Sequence, residues 1–259
     1  MRLQTLNKPI ELAKGLNIKM NVLAIIPARG GSKGIPNKNM THFHGTSLVG
    51  LATKVACGSI NVTHTIVSTD ESVIANEAAK FGASFIGFRP PELSSDSALD
   101  QPVLHYELNQ AERHFETIFE IVVMLQPTSP LRTSIDVDLC VNKLIELKAS
   151  SVWTISPIEK HFHYKKQLVL TDEGTIKLAV DGPEVTRRQD LNSVFRRNGA
   201  VYVYTRDTVL NDSRLRGSRC YGVTLSHVTA NIDTLSDLEQ AKKDAQVIDG
   251  ELHFSPEVQ

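Results

Sequence analysis

The residues with the strongest chemical content sit in the segment PARGGSKGIPNKN, residues 27–39. Gly30 and Gly31 lack a Cβ, so backbone amides there can be brought against an anion. Arg29, Lys33 and Lys38 supply three cations within ten positions; Ser32 adds a hydroxyl, and Asn39 an amide able to orient a ribose or phosphate. A guanidinium can fork two phosphate oxygens while ammonium groups act as mobile point charges. The chemistry this pattern suits is the grip of a polyphosphate. The spacing differs from the ATPase P-loop, which puts Lys-Ser or Lys-Thr after a second glycine, and from the Gly-x-Gly-x-x-Gly of dinucleotide binders.

Such a loop works only if the fold presents it. Val22–Ile26 reads as a strand immediately before it, which predicts a site at the carboxyl end of a sheet. Further strands are read at 65–68, 84–86, 121–125, 152–155 and 199–204. Helices are read at about 47–56, 71–81, 100–115, 135–147 and 235–245. The alternation predicts an α/β fold: a mostly parallel sheet in three layers, Rossmann-like, with helices on both faces. Between 157 and 198 the rhythm breaks. Residues 164–170 and 175–180 flank Thr171-Asp172-Glu173-Gly174, which reads as a β-hairpin turn. A lone hairpin needs a surface to pack on, so this segment is expected to be an arm used in dimerisation. The division is then a poorly ordered leader at 1–20, a core at 21–156 and 199–259, and an arm at 157–198.

The composition sets outer limits. With 28 Lys+Arg against 29 Asp+Glu in 259 residues, nothing suggests a nucleic-acid scaffold or a polybasic membrane binder. No apolar run approaches a membrane span and the first 20 residues lack a secretory core, so a cytoplasmic protein is expected. Cys57, Cys140 and Cys220 are too scattered for a disulfide framework or a zinc site and read as small buried hydrophobes. His161 and His163 share a face if extended but have no neighbouring soft ligands. Asp70 reads as the N-cap of the helix near Glu71, and Asp237 as a cap of the last helix.

The segment AIIPARGGSKGIPNKN, residues 24–39, resembles the signature of the acylneuraminate (sialic acid) cytidylyltransferases. IVSTD (66–70), FRPPELSSDSA (88–98), LQPTSPLR (125–132), RRQDLNSVFRRNGAVYVY (187–204) and NID (231–233) continue the resemblance in order. It implies a nucleotidyltransferase fold, a homodimer with arm exchange, and transfer of CMP from CTP to the anomeric hydroxyl of a nine-carbon keto-sugar acid of the sialic, legionaminic or pseudaminic type. Two alternatives stand beside it: the eight-carbon sugar acid of lipopolysaccharide as acceptor, and a nucleotide-binding protein without turnover.

What the resemblance implies for individual residues follows the motifs. Arg29, Gly30, Gly31, Ser32, Lys33, Lys38, Asn39 and Arg89 are implied to bind nucleotide, Lys38 at the α-phosphate. Gln126, Lys165, Arg188, Asn198 and Tyr202 are implied to bind the sugar acid, with Lys165 and Arg188 reaching a partner's site from the arm. Ser129 and Arg132 are further candidates. Arg89 could instead pair with Glu92 or Asp96, Arg132 could cap the following helix, and Tyr202 could be a plain core residue. Mg²⁺ is expected on Asp233 and Asn231, and Lys38, Arg29 and Asp233 are the residues implied in catalysis. The family commonly carries Asp-x-Asp where this chain reads Asn231-Ile232-Asp233, so a full negative charge is absent at 231.

Overall fold

A computed structural model describes residues 20–32, 34–182, 187, 189 and 191–247. In chain order the strands are β1 (Val22–Pro27), β2 (His42–Phe43), β3 (Thr46–Ser47), β4 (His64–Ser68), β5 (Ile121–Met124), β6 (Ser151–Pro157), β7 (Leu168–Leu170), β8 (Ile176–Leu178), β9 (Phe195–Thr205) and β10 (Cys220–Thr224). The helices are α1 (Leu48–Gly58), α2 (Ser72–Lys80), α3 (Asp100–Phe115), α4 (Ser134–Glu146), α5 (Arg206–Asn211) and α6 (Leu235–Val247). Six strands form one sheet in the order β10-β6-β9-β5-β1-β4. Within it β9 alone runs antiparallel, pairing with both β5 and β6.

β1 shows why the sheet lies between two helical layers. Its first five residues, Val22 to Ile26, are all buried, as befits a strand covered on both faces. Period-two alternation sends Val22, Ala24 and Ile26 into a core with Val49 and Ala52 of α1, Ile74 and Ala78 of α2, and Val137 and Val141 of α4. Leu23 and Ile25 face the other way, toward Leu104, Leu108 and Ala111 of α3 and Val209 of α5. α4 starts with a reciprocal capping box: Asp136 N donates to Thr133 Oγ1, and Thr133 N donates to Asp136 Oδ2 at 2.7 Å.

The expected α/β architecture is present, with local differences. The predicted strand at 84–86 reduces to one parallel bridge, Ile66 to Ser84, because only Ser84 exchanges backbone hydrogen bonds with β4 and Gly87 turns the chain away at φ 142°. In the arm, β7 and β8 pair antiparallel as read, but 164–166 is a 3₁₀ turn rather than strand; the Lys165 amide donates to His163 Nδ1. His163 is buried by this contact and His161 faces Glu159 at 3.3 Å, so the two histidines do not converge. β10, with its exposed–intermediate alternation, and the six-residue α5 carried too little apolar period to be read. Cys140 is buried as expected, whereas Cys57 and Cys220 are exposed; all three are free thiols. Asp237 does cap α6, accepting from the Asp233 and Thr234 amides. Among the described residues no helix is long and apolar enough to cross a membrane. Residues 1–19, Lys33 and Arg188 lie outside the described residues.

A third, smaller core joins loops rather than layers. Ile35 from the loop after β1, Leu131 from the loop after β5 and Ile232 from the segment before α6 pack with Phe43, Leu48, Leu238 and Ala241. Ile232 is fully buried and its amide donates to the Thr128 carbonyl at 2.8 Å. Truncating Ile232 to Ala removes buried methylene groups from the knot where these loops meet. It should lower unfolding stability by about 2–5 kcal/mol, read by denaturant titration, and loosen the flanking Asn231 and Asp233.

A candidate nucleotide cleft with an adjoining pocket

The carboxyl ends of β1, β4 and β5 meet at one edge of the sheet, and the residues that follow them wall a cleft of about 640 Å³. Arg29, Ser32, Gly34, Lys38 and Asn39 come from the loop after β1. Arg89, Ser95 and Asp96 come from the segment before α3, Gln126 and Thr128 from the loop after β5, and Asn231 and Asp233 from the segment before α6. The antiparallel course of β9 brings its first residues to the same edge. There Arg196, Arg197, Asn198, Gly199 and Tyr202 line a second pocket of about 200 Å³. Asp100, Gln126 and Asn231 border both cavities, so the two adjoin each other.

The cations of the cleft are held by carboxylates. Arg29 pairs with Asp96 at 2.5 Å, and Lys38 Nζ donates to Asp233 Oδ1 at 2.9 Å. Asn231 donates from Nδ2 to the other Asp233 oxygen at 2.7 Å and accepts from Thr128 Oγ1 at 2.8 Å. One chain of contacts therefore runs Thr128, Asn231, Asp233, Lys38. Asn39 is buried and donates to the Arg29 carbonyl at 2.8 Å, fixing the loop that carries the guanidinium.

Gly30 and Gly31 do not form the anion-facing wall expected of them. Neither Gly30 nor Gly31 adopts positive φ, and the cleft wall is formed by Ser32 and Gly34 instead. The Gly30 amide donates to Asp70 Oδ1 at 2.8 Å. Asp70 is thus a brace for the loop and not the expected N-cap; α2 begins at Ser72 after Glu71, which makes no side-chain cap. Two other glycines are required by contact. A Cβ on Gly34 would run into the Asp233 carbonyl. Gly199 sits at φ 79°, and a Cβ there would meet Ser129 Oγ at 2.8 Å and Gln126 Oε1 at 3.3 Å.

Arg89 lines the cleft but is buried, and it pairs with neither Glu92 nor Asp96. Its guanidinium donates to the Ser68 carbonyl at 2.8 Å and the Leu93 carbonyl at 3.2 Å. Burial lowers its pKa, against the raising influence of Glu107 and Asp70. Burial in turn raises that of Glu107, which accepts from Ser68 Oγ at 2.6 Å. Arg132 does not cap α4. It is buried, donates to the Gln126 and Ala200 carbonyls, and burial pulls its pKa down to about 9, so it stays charged at neutral pH and pins the Gln126 loop to β9.

Asn198 and Tyr202 both line the inner pocket. Both groups of the Asn198 amide are used internally, Oδ1 by Thr154 Oγ1 at 2.6 Å and Nδ2 by Ser156 Oγ at 3.1 Å. Tyr202 packs in the second core, and its hydroxyl accepts from the Gly199 amide at 3.1 Å, so it belongs to the core as well as to the pocket wall. Lys165 stands on the arm and lines neither cavity. Sequence reasoning missed Asp100, Thr128, Arg196 and Arg197. The Arg196-Arg197 pair just before Asn198 was the available signal, whereas Asp100 looks like an ordinary acidic helix start.

Among solved structures, a CMP:2-keto-3-deoxy-manno-octonic acid synthetase complexed with CTP superposes with a TM-score of 0.64 at 18% identity, covering 90% of this chain and all of that one. Among curated proteins, N-acylneuraminate cytidylyltransferase of Streptococcus agalactiae serotype V is 31% identical over 84% of this chain and 52% of its own length. CMP-N,N'-diacetyllegionaminic acid synthase of Campylobacter jejuni is 29% identical over 84% of this chain and 92% of that protein. The model of the cytidylyltransferase family matches residues 23–247, nearly everything the structure describes, and this chain belongs to that family.

Proposed function

We propose that this chain transfers CMP from CTP to the anomeric hydroxyl of a nonulosonic acid of the sialic, legionaminic or pseudaminic type, releasing pyrophosphate. The observation that carries the reading is the pair of adjoining cavities: one walled by Arg29 and Lys38, the other by Arg196 and Arg197. A triphosphate suits the first and a sugar carboxylate the second, which would set donor and acceptor side by side. In-line attack on the α-phosphorus spreads negative charge over the phosphoryl oxygens and the departing pyrophosphate, so the work left to the protein is positioning and charge stabilisation.

The roles follow from the side chains. Arg29 and Ser32 are assigned to the outer phosphates and Lys38 to the α-phosphate, each exchanging an internal contact for a phosphate oxygen. Asn39, Arg89 and Arg132 keep the loops in register through their carbonyl contacts. Gln126, bordering both cavities, is assigned to hydroxyl groups of the acceptor. The reaction is placed in the cytoplasm, where nucleoside triphosphates are held.

A divalent cation, Mg²⁺, fits the donor set. Asp233 offers a largely exposed carboxylate and Asn231 a carbonyl oxygen beside it, both hard ligands. Among the described residues no group of three or more His, Cys, Asp or Glu converges on a metal site. The protein's share of the coordination is therefore small, as for an ion that arrives with a nucleotide and keeps several waters. When bound, the ion supplies Lewis-acid neutralisation of phosphate charge.

Homodimerisation through the arm is proposed on its exposed apolar residues. Leu170 and Ile176 are 70% and 66% exposed on a two-stranded ribbon that has no sheet of its own to rest on. Lys165 and Arg188 would then serve the partner's inner pocket.

Purified protein with CTP, Mg²⁺ and a panel of nonulosonic acids should release pyrophosphate, and chelation of the metal should abolish it. Stabilisation by CTP without pyrophosphate from any acid, the eight-carbon one included, would support binding without turnover. Lys38→Ala should reduce turnover by on the order of 10²–10³ while leaving thermal unfolding within a few degrees of wild type; near-normal turnover would remove Lys38 from the reaction. Arg188→Ala should weaken use of the sugar acid. Mixing it with a Lys38→Ala chain should restore activity if the arm crosses to the partner, because one site of the mixed dimer is then intact.

A further inference from the structure

We propose that Asp100 reads the acceptor: its carboxylate receives a hydrogen bond from a hydroxyl or amino donor of the sugar acid and thereby selects which acids are used. This rests on the cytidylyltransferase reading above and deepens it by naming a specificity residue.

The placement comes first. Asp100 opens α3, yet it caps nothing: the N-cap position belongs to Leu99, and no side-chain cap is formed there. Asp100 borders both the cleft and the inner pocket, where the two adjoin. No described residue donates a hydrogen bond to its carboxylate, and the opposite charge that acts on it is that of Arg197. Asp100 is an exposed residue at the mouth of these cavities; the walls around it raise its pKa, and Arg197 pulls the other way. Tyr202 and Tyr204, on the strand opposite, are the titratable side chains that feel its charge.

Of the neutral groups in the pocket, the Gln126 amide is left for a ligand while the others have internal partners. Asn198 is tied to Thr154 and Ser156, and the Tyr202 hydroxyl takes the Gly199 amide. The charged groups are held differently. The Arg197 guanidinium lies 5.3 Å from the centre of the Trp153 ring, with Arg216 at 5.7 Å from the same ring. A ring face orients a guanidinium without consuming its N–H donors. The pocket therefore offers a ligand two needs of opposite sense: donors on Arg197 and an acceptor-only carboxylate on Asp100. A sugar acid meets both, its carboxylate taking the guanidinium and a hydroxyl or amine serving Asp100. An acid lacking a donor at that place would leave the carboxylate to water alone and lose the contact, which is how a hydrogen-bonding site separates otherwise similar ligands.

The test compares wild type with Asp100→Asn and Asp100→Ala. It uses whichever of N-acetylneuraminic, legionaminic and pseudaminic acids wild type converts fastest, together with that acid's monodeoxy and mono-O-methyl analogues. Both variants should raise the KM for the parent acid at least tenfold while the KM for CTP stays within twofold and the Tm within a few degrees. One analogue should be rejected at least tenfold by wild type and accepted by Asp100→Ala about as well as the parent acid. A KM for the acid that is unchanged in both variants would overturn the proposal, as would a parallel rise in the KM for CTP, which would make Asp100 a nucleotide residue. A fall in Tm alone would reduce it to a helix-start residue. Wild type that binds CTP but converts no acid would overturn the cytidylyltransferase reading itself, a result separable from failure of the variants.

Discussion

The geometry of the cleft depends on the burial of Ile232. Asn231 and Asp233 face the cleft while the residue between them points into the small core shared by Ile35 and Leu131. This is the alternation of an extended chain compressed into three positions. Because each of the three loops contributes one apolar anchor to the same cluster, none can shift without opening a void under the others. Close packing also explains Gly34, whose missing Cβ lets the loop after β1 lie against the Asp233 carbonyl. Fixing the loops by apolar neighbours in this way sets the positions of the polar groups on the cleft side.

With the loops fixed, the charge arrangement follows. A cleft of bare cations would repel itself, and here each described cation facing it has an anionic or carbonyl partner: Arg29 has Asp96, Lys38 has Asp233, and Arg89 has two backbone carbonyls. These contacts differ in how readily they can be exchanged. The Arg89 contacts are buried and build the wall, while Asp96 and Asp233 are the exposed members of their pairs and can be released to solvent or to a cation. Exchange of a carboxylate for a phosphate oxygen preserves the balance of charge, so a triphosphate can enter without a large reorganisation of the loop, which is the condition for electrostatic preorganisation.

The fold was legible where one physical period dominated. α3 was read at its true limits, 100–115, because its apolar positions recur at helical spacing over sixteen residues, and β1 because a run of apolar residues directly precedes the glycine loop. The bridge at Ser84, the short α5 and the half-exposed β10 are set by pairing partners distant in sequence, which local pattern does not encode. The site divides the same way. Arg29, Lys38, Asn39, Gln126, Asn198, Tyr202, Asn231 and Asp233 came from contiguous motifs and do meet at one sheet edge. Asp70 was misread because an aspartate just before a helix usually caps it, and only the tertiary approach of Gly30 redirects the carboxylate. Asp100 was passed over for the converse reason: an acidic first turn is ordinary, and its exposure to two cavities depends on β9 running antiparallel.

Asn231 is the place where this chain departs from the Asp-x-Asp expected of its relatives, and the contacts give the departure a physical sense. The Asn231 amide nitrogen sits 2.7 Å from one oxygen of Asp233, while Lys38 holds the other. A carboxylate in that position would bring two negative charges to hydrogen-bond distance, an arrangement tolerable only with a proton or a cation between them. The amide converts the same contact into an attraction, so the Asp233 carboxylate is oriented before any ion arrives. Its carbonyl oxygen meanwhile keeps Thr128 in place. What is given up is charge for a second cation, and what is gained is a site already assembled around a single carboxylate. That exchange suits a reaction in which the triphosphate itself brings most of the negative charge that a metal requires.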